Sequence, residues 1–123
     1  MRIESYGSAK IYWPDFSRDE LIELLREKAR RLAELLPLER VMLFGSWAHD
    51  QATAFSDVDV LVVYTDPKRD QAYEIAYTTM QVEGLEAHVY CESDAAKVKP
   101  ALSSMIRDGA VDLLTGAETI AWP

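Results

Sequence analysis

Two apolar runs dominate the middle of the chain, Val41-Met42-Leu43-Phe44 and the stretch VDVLVVY from Val58 to Tyr64. Short apolar runs bounded by turn formers predict buried strands. We place these strands at about 39–44 and 57–64. The first closes on Gly45-Ser46, so it opens into a tight turn or short helix over 46–54. Upstream the period changes to that of a helix. Leu21, Leu25, Ala29, Leu32 and Leu36 recur on one face, widened by Ile22 and Ala33. Ser17-Arg18-Asp19-Glu20 reads as a capping box, with Phe16 and Leu21 placed as a hydrophobic staple. Pro37 ends the helix, at about Leu36.

Downstream, Asp66-Pro67 predicts an N-cap and first turn for a second helix carrying Tyr73, Ile75, Ala76 and Met80 and ending near Gly84. A third core strand is expected at 85–90, a turn at 94–97, a helix at 100–107 closed by Gly109, and a last strand at 111–114. Residues 10–13 (KIYW), followed by Pro14, predict an edge strand within an N-terminal extension, 1–16. The order is strand, helix, strand, strand, helix, strand, helix, strand. That predicts an α/β (α+β) domain, with helices packed on a small mixed sheet. With 123 residues the chain suits one domain over 1–123, its core at 17–114.

Composition narrows the function classes. The formal net charge is -8, from 21 acidic and 13 basic residues, which argues against a general nucleic-acid surface. One cysteine, Cys91, leaves no intrachain disulfide framework and fits a reducing, cytoplasmic setting. Apolar runs all fall well short of the roughly 20 residues of a membrane span. The first residues, MRIESYGSAKIYW, lack a signal-peptide apolar region.

The strand at 57–64 carries two carboxylates, Asp57 and Asp59. Buried charge is costly unless paired, and divalent metal ions are the obvious partners for adjacent acids. Side chains two apart on a strand share a face, so Asp57 and Asp59 project together and Val58, Val60 and Val62 fill the other side. On the third strand Glu86, His88 and Tyr90 share one face, and Leu85, Ala87, Val89 and Cys91 the other. Glu86 is thus the natural third ligand if the two strands are neighbours. His88 reads as an ordinary sheet residue, and Cys91 as core. At the end of the first strand, Gly45 lets the backbone approach a ligand, and the Ser46 hydroxyl can hold phosphate oxygens. Phosphate held beside metal-binding carboxylates suits phosphoryl or nucleotidyl transfer.

Gly45-Ser46, ten residues, then Asp57-Val58-Asp59 resembles the signature of the polymerase-β-like nucleotidyltransferases, in particular their small single-domain minimal members. The strand and helix order over 38–114 is similar too. The resemblance implies a nucleotidyltransferase fold in which Gly45 and Ser46 bind an NTP. It also implies that Asp57, Asp59 and a third acid, here Glu86, bind a pair of magnesium ions. Relatives more often carry Asp at the place of Glu86, and many carry Arg-Gly where this chain has His49-Asp50; His49 is a candidate nucleotide contact in place of that Arg. A haloacid-dehalogenase-like phosphatase would usually have Thr or Val two places after the second Asp, where this chain has Leu61. A glycosyltransferase DxD motif would need a larger domain.

The function implied is magnesium-dependent transfer of a nucleoside monophosphate, AMP from ATP foremost, to a hydroxyl acceptor. Minimal members commonly pair with a helical HEPN-type protein in toxin–antitoxin modules, and some transfer AMP to a tyrosine of that partner. The alternative is a non-catalytic module that binds nucleotide or neutralises its partner by contact. The 10–13 edge and the acidic surface would suit either a partner protein or a second copy of the chain; a membrane or a nucleic-acid acceptor is not expected.

Overall fold

The structure is a computed structural model and describes residues 17–49 and 56–119, without the side chains of His49 and Thr119. The predicted edge strand at 10–13, the staple residue Phe16, the His49 side chain and Asp50 lie outside the described residues.

Helix α1 (Arg18–Ala33) begins as predicted. The Glu20 amide donates to Ser17 Oγ at 3.3 Å, and the Ser17 amide donates to Glu20 Oε1 at 2.7 Å. This satisfies two amides that a helix start leaves without partners. Leu21, Leu25, Ala29 and Leu32 are buried along one face. The helix stops earlier than expected, and Ala33 is exposed. Leu36 enters the core from a turn in which its amide and that of Leu35 both donate to the Leu32 carbonyl. The residue before a proline avoids helical backbone, which accounts for the early stop before Pro37.

Strand β1 (Leu38–Phe44) leads into a 3₁₀ turn over Ser46–His49, and β2 (Val58–Tyr64) follows. Helix α2 (Ala72–Thr79) links β2 to β3 (Leu85–Cys91). Two short helices, α3 (Glu92–Lys97) and α4 (Lys99–Ile106), precede β4 (Ala110–Asp112) and β5 (Glu118–Thr119). Among the described residues the sheet has five strands, in the order β3-β2-β1-β4-β5. Its β2–β3 pair is parallel, which requires a crossover, and α2 supplies it. The β1–β2, β1–β4 and β4–β5 pairs are antiparallel, so the sheet is mixed.

Strand parity sorts the core into two layers. Val58, Val60, Val62 and Tyr64 of β2 pack with α1 and α2, in a cluster containing Leu21, Leu25, Leu32, Ala76 and Met80. Leu61 and Val63 face the other way, onto Ala95, Leu102 and Ile106 of α3 and α4. Cys91 is buried with a free thiol. Among the described residues no helix is long and apolar enough to cross a membrane.

Several predicted boundaries move. The helix expected from Asp66-Pro67 starts instead at Ala72. Asp66 is engaged elsewhere: its carboxylate accepts from the amide and hydroxyl of Ser93 on α3, both at 3.1 Å. These bonds hold its carboxyl below the usual range. The Arg69 amide likewise donates to the Tyr64 hydroxyl at 2.9 Å. The expected turn at 94–97 lies inside α3. The strand β4 ends at Asp112, whose carboxylate accepts from the amides of Leu114 and Thr115 at 2.9 and 3.2 Å. That local turn diverts the backbone from the sheet. The short β5 was not predicted; a strand of two residues leaves no periodic signal.

Candidate active site at the β1–β2–β3 edge of the sheet

The cross-strand register assembles the site. Phe44, the last residue of β1, pairs with Asp59 of β2, and Asp59 pairs with Glu86 of β3. The Val58 amide donates to the Gly84 carbonyl at 2.8 Å, holding the start of β2 against the turn that launches β3. The Gly45 turn, Asp59 and Glu86 therefore lie in a row across adjacent strands, with neighbours separated by about 4.8 Å along the hydrogen-bonding direction. β2 and β3 are neighbours, and Glu86 stands directly beside Asp59.

Gly45 has φ 79°, and a Cβ added there would collide with the Asp59 carboxylate. Glycine is thus required twice over, for its backbone conformation and for this close approach. The turn is closed by the Ala48 amide donating to the Gly45 carbonyl at 3.0 Å. Ser46 begins the 3₁₀ turn and is half-buried.

Arg18, from the first turn of α1, secures the far end of this turn. Its Nε donates to the Trp47 carbonyl at 2.9 Å and its Nη2 to the Ala48 carbonyl at 2.5 Å. The same nitrogen approaches Glu118 Oε2 at 3.3 Å. The guanidinium occupies the carbonyl end of the turn, where a cation is favoured. The sequence offered no signal for this role: read locally, Arg18 is one residue of a capping box.

The acids differ in their surroundings. Asp57 precedes β2 and is exposed; Asp59 is half-buried; Glu86 is exposed. Burial raises the Asp59 carboxyl above its ordinary value, with further increments from the negative charges of Glu86 and Asp57. His88 pulls the other way. Asp59, Glu86 and His88 each offer one ligand atom, and these atoms lie within 4.8 Å of one another. The His88 ring packs at a tilt of 55° against Phe44, with centroids 5.5 Å apart. Asp57 lies outside this close donor group. His88 is the residue whose place here the sequence reading missed, although it shares strand parity with Glu86. Crowded carboxylates with an imidazole beside them, one acid already disfavouring its own charge, are a donor set that fits a divalent cation.

Comparisons with known proteins show the family to which the chain belongs. The family profile described as nucleotidyltransferase domain matches residues 25–113. A Methanocaldococcus jannaschii protein provisionally named a protein adenylyltransferase is 35% identical over 48 residues, 39% of this chain and 49% of that protein. The chain thus matches about half the length of that curated relative. A crystal structure of a provisionally assigned nucleotidyltransferase from Sulfolobus solfataricus superposes with a TM-score of 0.52 at 24% identity, covering 67% of this chain and 77% of that one. A looser likeness, TM-score 0.48 at 22% identity over 75% of this chain and 71% of the other, is to a Shewanella oneidensis structure of a tri-AMPylated HEPN toxin with an MNT antitoxin.

Proposed function

Because the chain belongs to the nucleotidyltransferase domain family, we propose that it transfers a nucleoside monophosphate, AMP from ATP, to a hydroxyl group on a partner protein. The carrying observation is the row formed by the Gly45 turn, Asp59 and Glu86 across three paired strands. A triphosphate on the β1 side would meet the amides of the Gly45-Ser46 turn and the Ser46 hydroxyl, which donates to a phosphate oxygen. His49, later on the same turn, would add a contact where many relatives carry Arg. The acceptor hydroxyl would enter from the β3 side, beside Glu86.

Asp57, Asp59 and Glu86 would hold a pair of magnesium ions. When bound, these lower the pKa of the acceptor hydroxyl and neutralise the departing pyrophosphate. The acceptor oxygen forms a bond to the α-phosphorus, and the bond from that phosphorus to the pyrophosphate oxygen breaks. The acceptor's proton leaves to a nearby carboxylate or to water. The chain's own contribution is positioning: the β1 turn fixes the phosphates and the register fixes the acids relative to them.

A protein acceptor is favoured over a nucleic acid by the net charge of -8. The resemblance to minimal members supports a tyrosine on a helical HEPN-type partner of a toxin–antitoxin pair. The test is incubation with magnesium, labelled ATP and the product of the neighbouring gene. Label is expected on that product, with transfer by Asp57→Asn reduced at least ~100-fold. Neutralisation of the partner that survives Asp57→Asn, with no label transferred by the unmodified protein, would replace the enzyme with a module acting by contact alone.

A further inference from the structure

We propose that His88 is a direct metal ligand, which makes the β3 side of this site a mixed nitrogen–oxygen centre that prefers manganese and later divalent metals to magnesium. The inference rests on the reading of Asp59 and Glu86 as cation-binding acids and adds a donor of a different chemical kind to them.

The argument begins with strand parity. His88 is two residues beyond Glu86 on β3, so both side chains emerge on the same face. Asp59 faces that side because it pairs with Glu86, and Leu61, which pairs with His88, lies in the same layer as α3 and α4. The ligand atoms of all three lie within 4.8 Å of one another. A cation about 2.1 Å from each ligand places adjacent donors roughly 3 Å apart and opposite donors roughly 4 Å apart. Side-chain rotation is what would have to close that difference. The ring also has a neighbour that seats it: a tilted contact with Phe44, at 5.5 Å between centroids. Phe44 is itself 8% exposed and pairs with Asp59, so the ring's support and the acid are on the same cross-strand pair.

The chemistry follows from the donors. Magnesium takes oxygen ligands almost exclusively and sheds water reluctantly. Imidazole nitrogen suits borderline metals, and affinity of such a site rises from manganese toward copper along the first row. A site of two carboxylates and one imidazole therefore discriminates among divalent ions where carboxylates alone would do so much less. Since Glu86 and His88 lie on the strand farther from the Gly45 turn, the selective position is the one nearer the acceptor hydroxyl, not the one nearer the phosphates.

The test is pulsed electron paramagnetic resonance of the full chain loaded with manganese, without nucleotide. The chain has 2 histidines, His49 and His88, so the source of any nitrogen signal can be assigned. The expected spectrum carries imidazole nitrogen modulation that changes when histidine is labelled with ¹⁵N, persists in His49→Gln and is lost in His88→Phe and His88→Gln. Manganese affinity should fall about tenfold in either His88 variant, and magnesium affinity by no more than ~2-fold. Manganese bound without nitrogen modulation, or with modulation lost only in His49→Gln, overturns the assignment while leaving the acidic site in place. Manganese that fails to bind, or binds equally to Asp59→Asn, overturns the cation-site reading and this inference with it.

Discussion

Asp59 stands at the centre of the site, and its environment works against its charge. Burial and the neighbouring acids raise its carboxyl above the ordinary 3.8. The folded protein therefore holds this proton to higher pH than the unfolded chain does. In metal-free protein, stability from this group falls as pH climbs from about that ordinary value through the folded-state one. Asp59→Asn should accordingly be more thermally stable than the unaltered chain in chelator at pH 7, and the difference should vanish below the ordinary carboxylate range. Scanning calorimetry from pH 3.5 to 8 checks this, and a gap of constant size across that range would contradict it. Nucleotidyl transfer by the same variant should be lost. Gly45 is the complementary case. At φ 79°, and against the Asp59 carboxylate, Gly45→Ala must both strain the backbone and displace the acid. It should cost about 1–3 kcal/mol of stability, read by urea unfolding, and should weaken ATP binding in a titration.

At the scale of elements, the turn after β1 depends on a helix distant from it in sequence. Arg18 reaches from α1 to the carbonyls of Trp47 and Ala48. Arg18→Met leaves those acceptors without their charged donor, and hydrogen bonds of this kind contribute about 1.5–3 kcal/mol. The expected result is a higher KM for ATP with kcat nearly unchanged, because the turn proposed to receive the phosphates is loosened and the acids are untouched. Arg18→Lys should recover part of the loss, since an ammonium supplies charge without the two-pronged geometry. Steady-state kinetics decides it: a fall in kcat at constant KM would remove the turn from the explanation. The loop between β2 and α2 is set from a distance in the same way, by Ser93 at the start of α3, whose amide donates to Asp66.

At the scale of the whole molecule, the described residues form a mixed sheet with a helical layer on each face, and the site lies at the end of β1 and the beginning of β2 and β3. Leu61 is fully buried two residues from Asp59, in the layer beneath α3 and α4. Leu61→Ala should destabilise the fold by roughly 2–5 kcal/mol through lost burial and a residual cavity, measured by urea denaturation. Cation affinity should change far less than stability, because the register of β2 with β3 is held by backbone pairing along the full strand. A cation affinity that collapses in parallel with stability would mean that packing, not register, holds the acids in place.

What the sequence determined by itself is local. The capping box of α1, the faces of β2 and β3, and the turn at Gly45-Ser46 all follow from spacings of a few residues, which fix side-chain direction before any tertiary contact exists. Parity alone put Asp59 on one face of its strand and Glu86, with His88, on one face of theirs. Which strand lies beside which was decided only by the tertiary structure. A parallel pair joined through α2 has no local signature, and a register slip of one residue would have turned every side chain over. The same holds for Arg18 at the Trp47 and Ala48 carbonyls, and for Asp66, whose Asp-Pro signal fits a helix start until Ser93 competes for the carboxylate. Long-range partners outweighed local preference there because a buried or constrained polar group takes whichever partner the assembled fold supplies. The acids could be named from the chain; their alignment into a row came from the sheet.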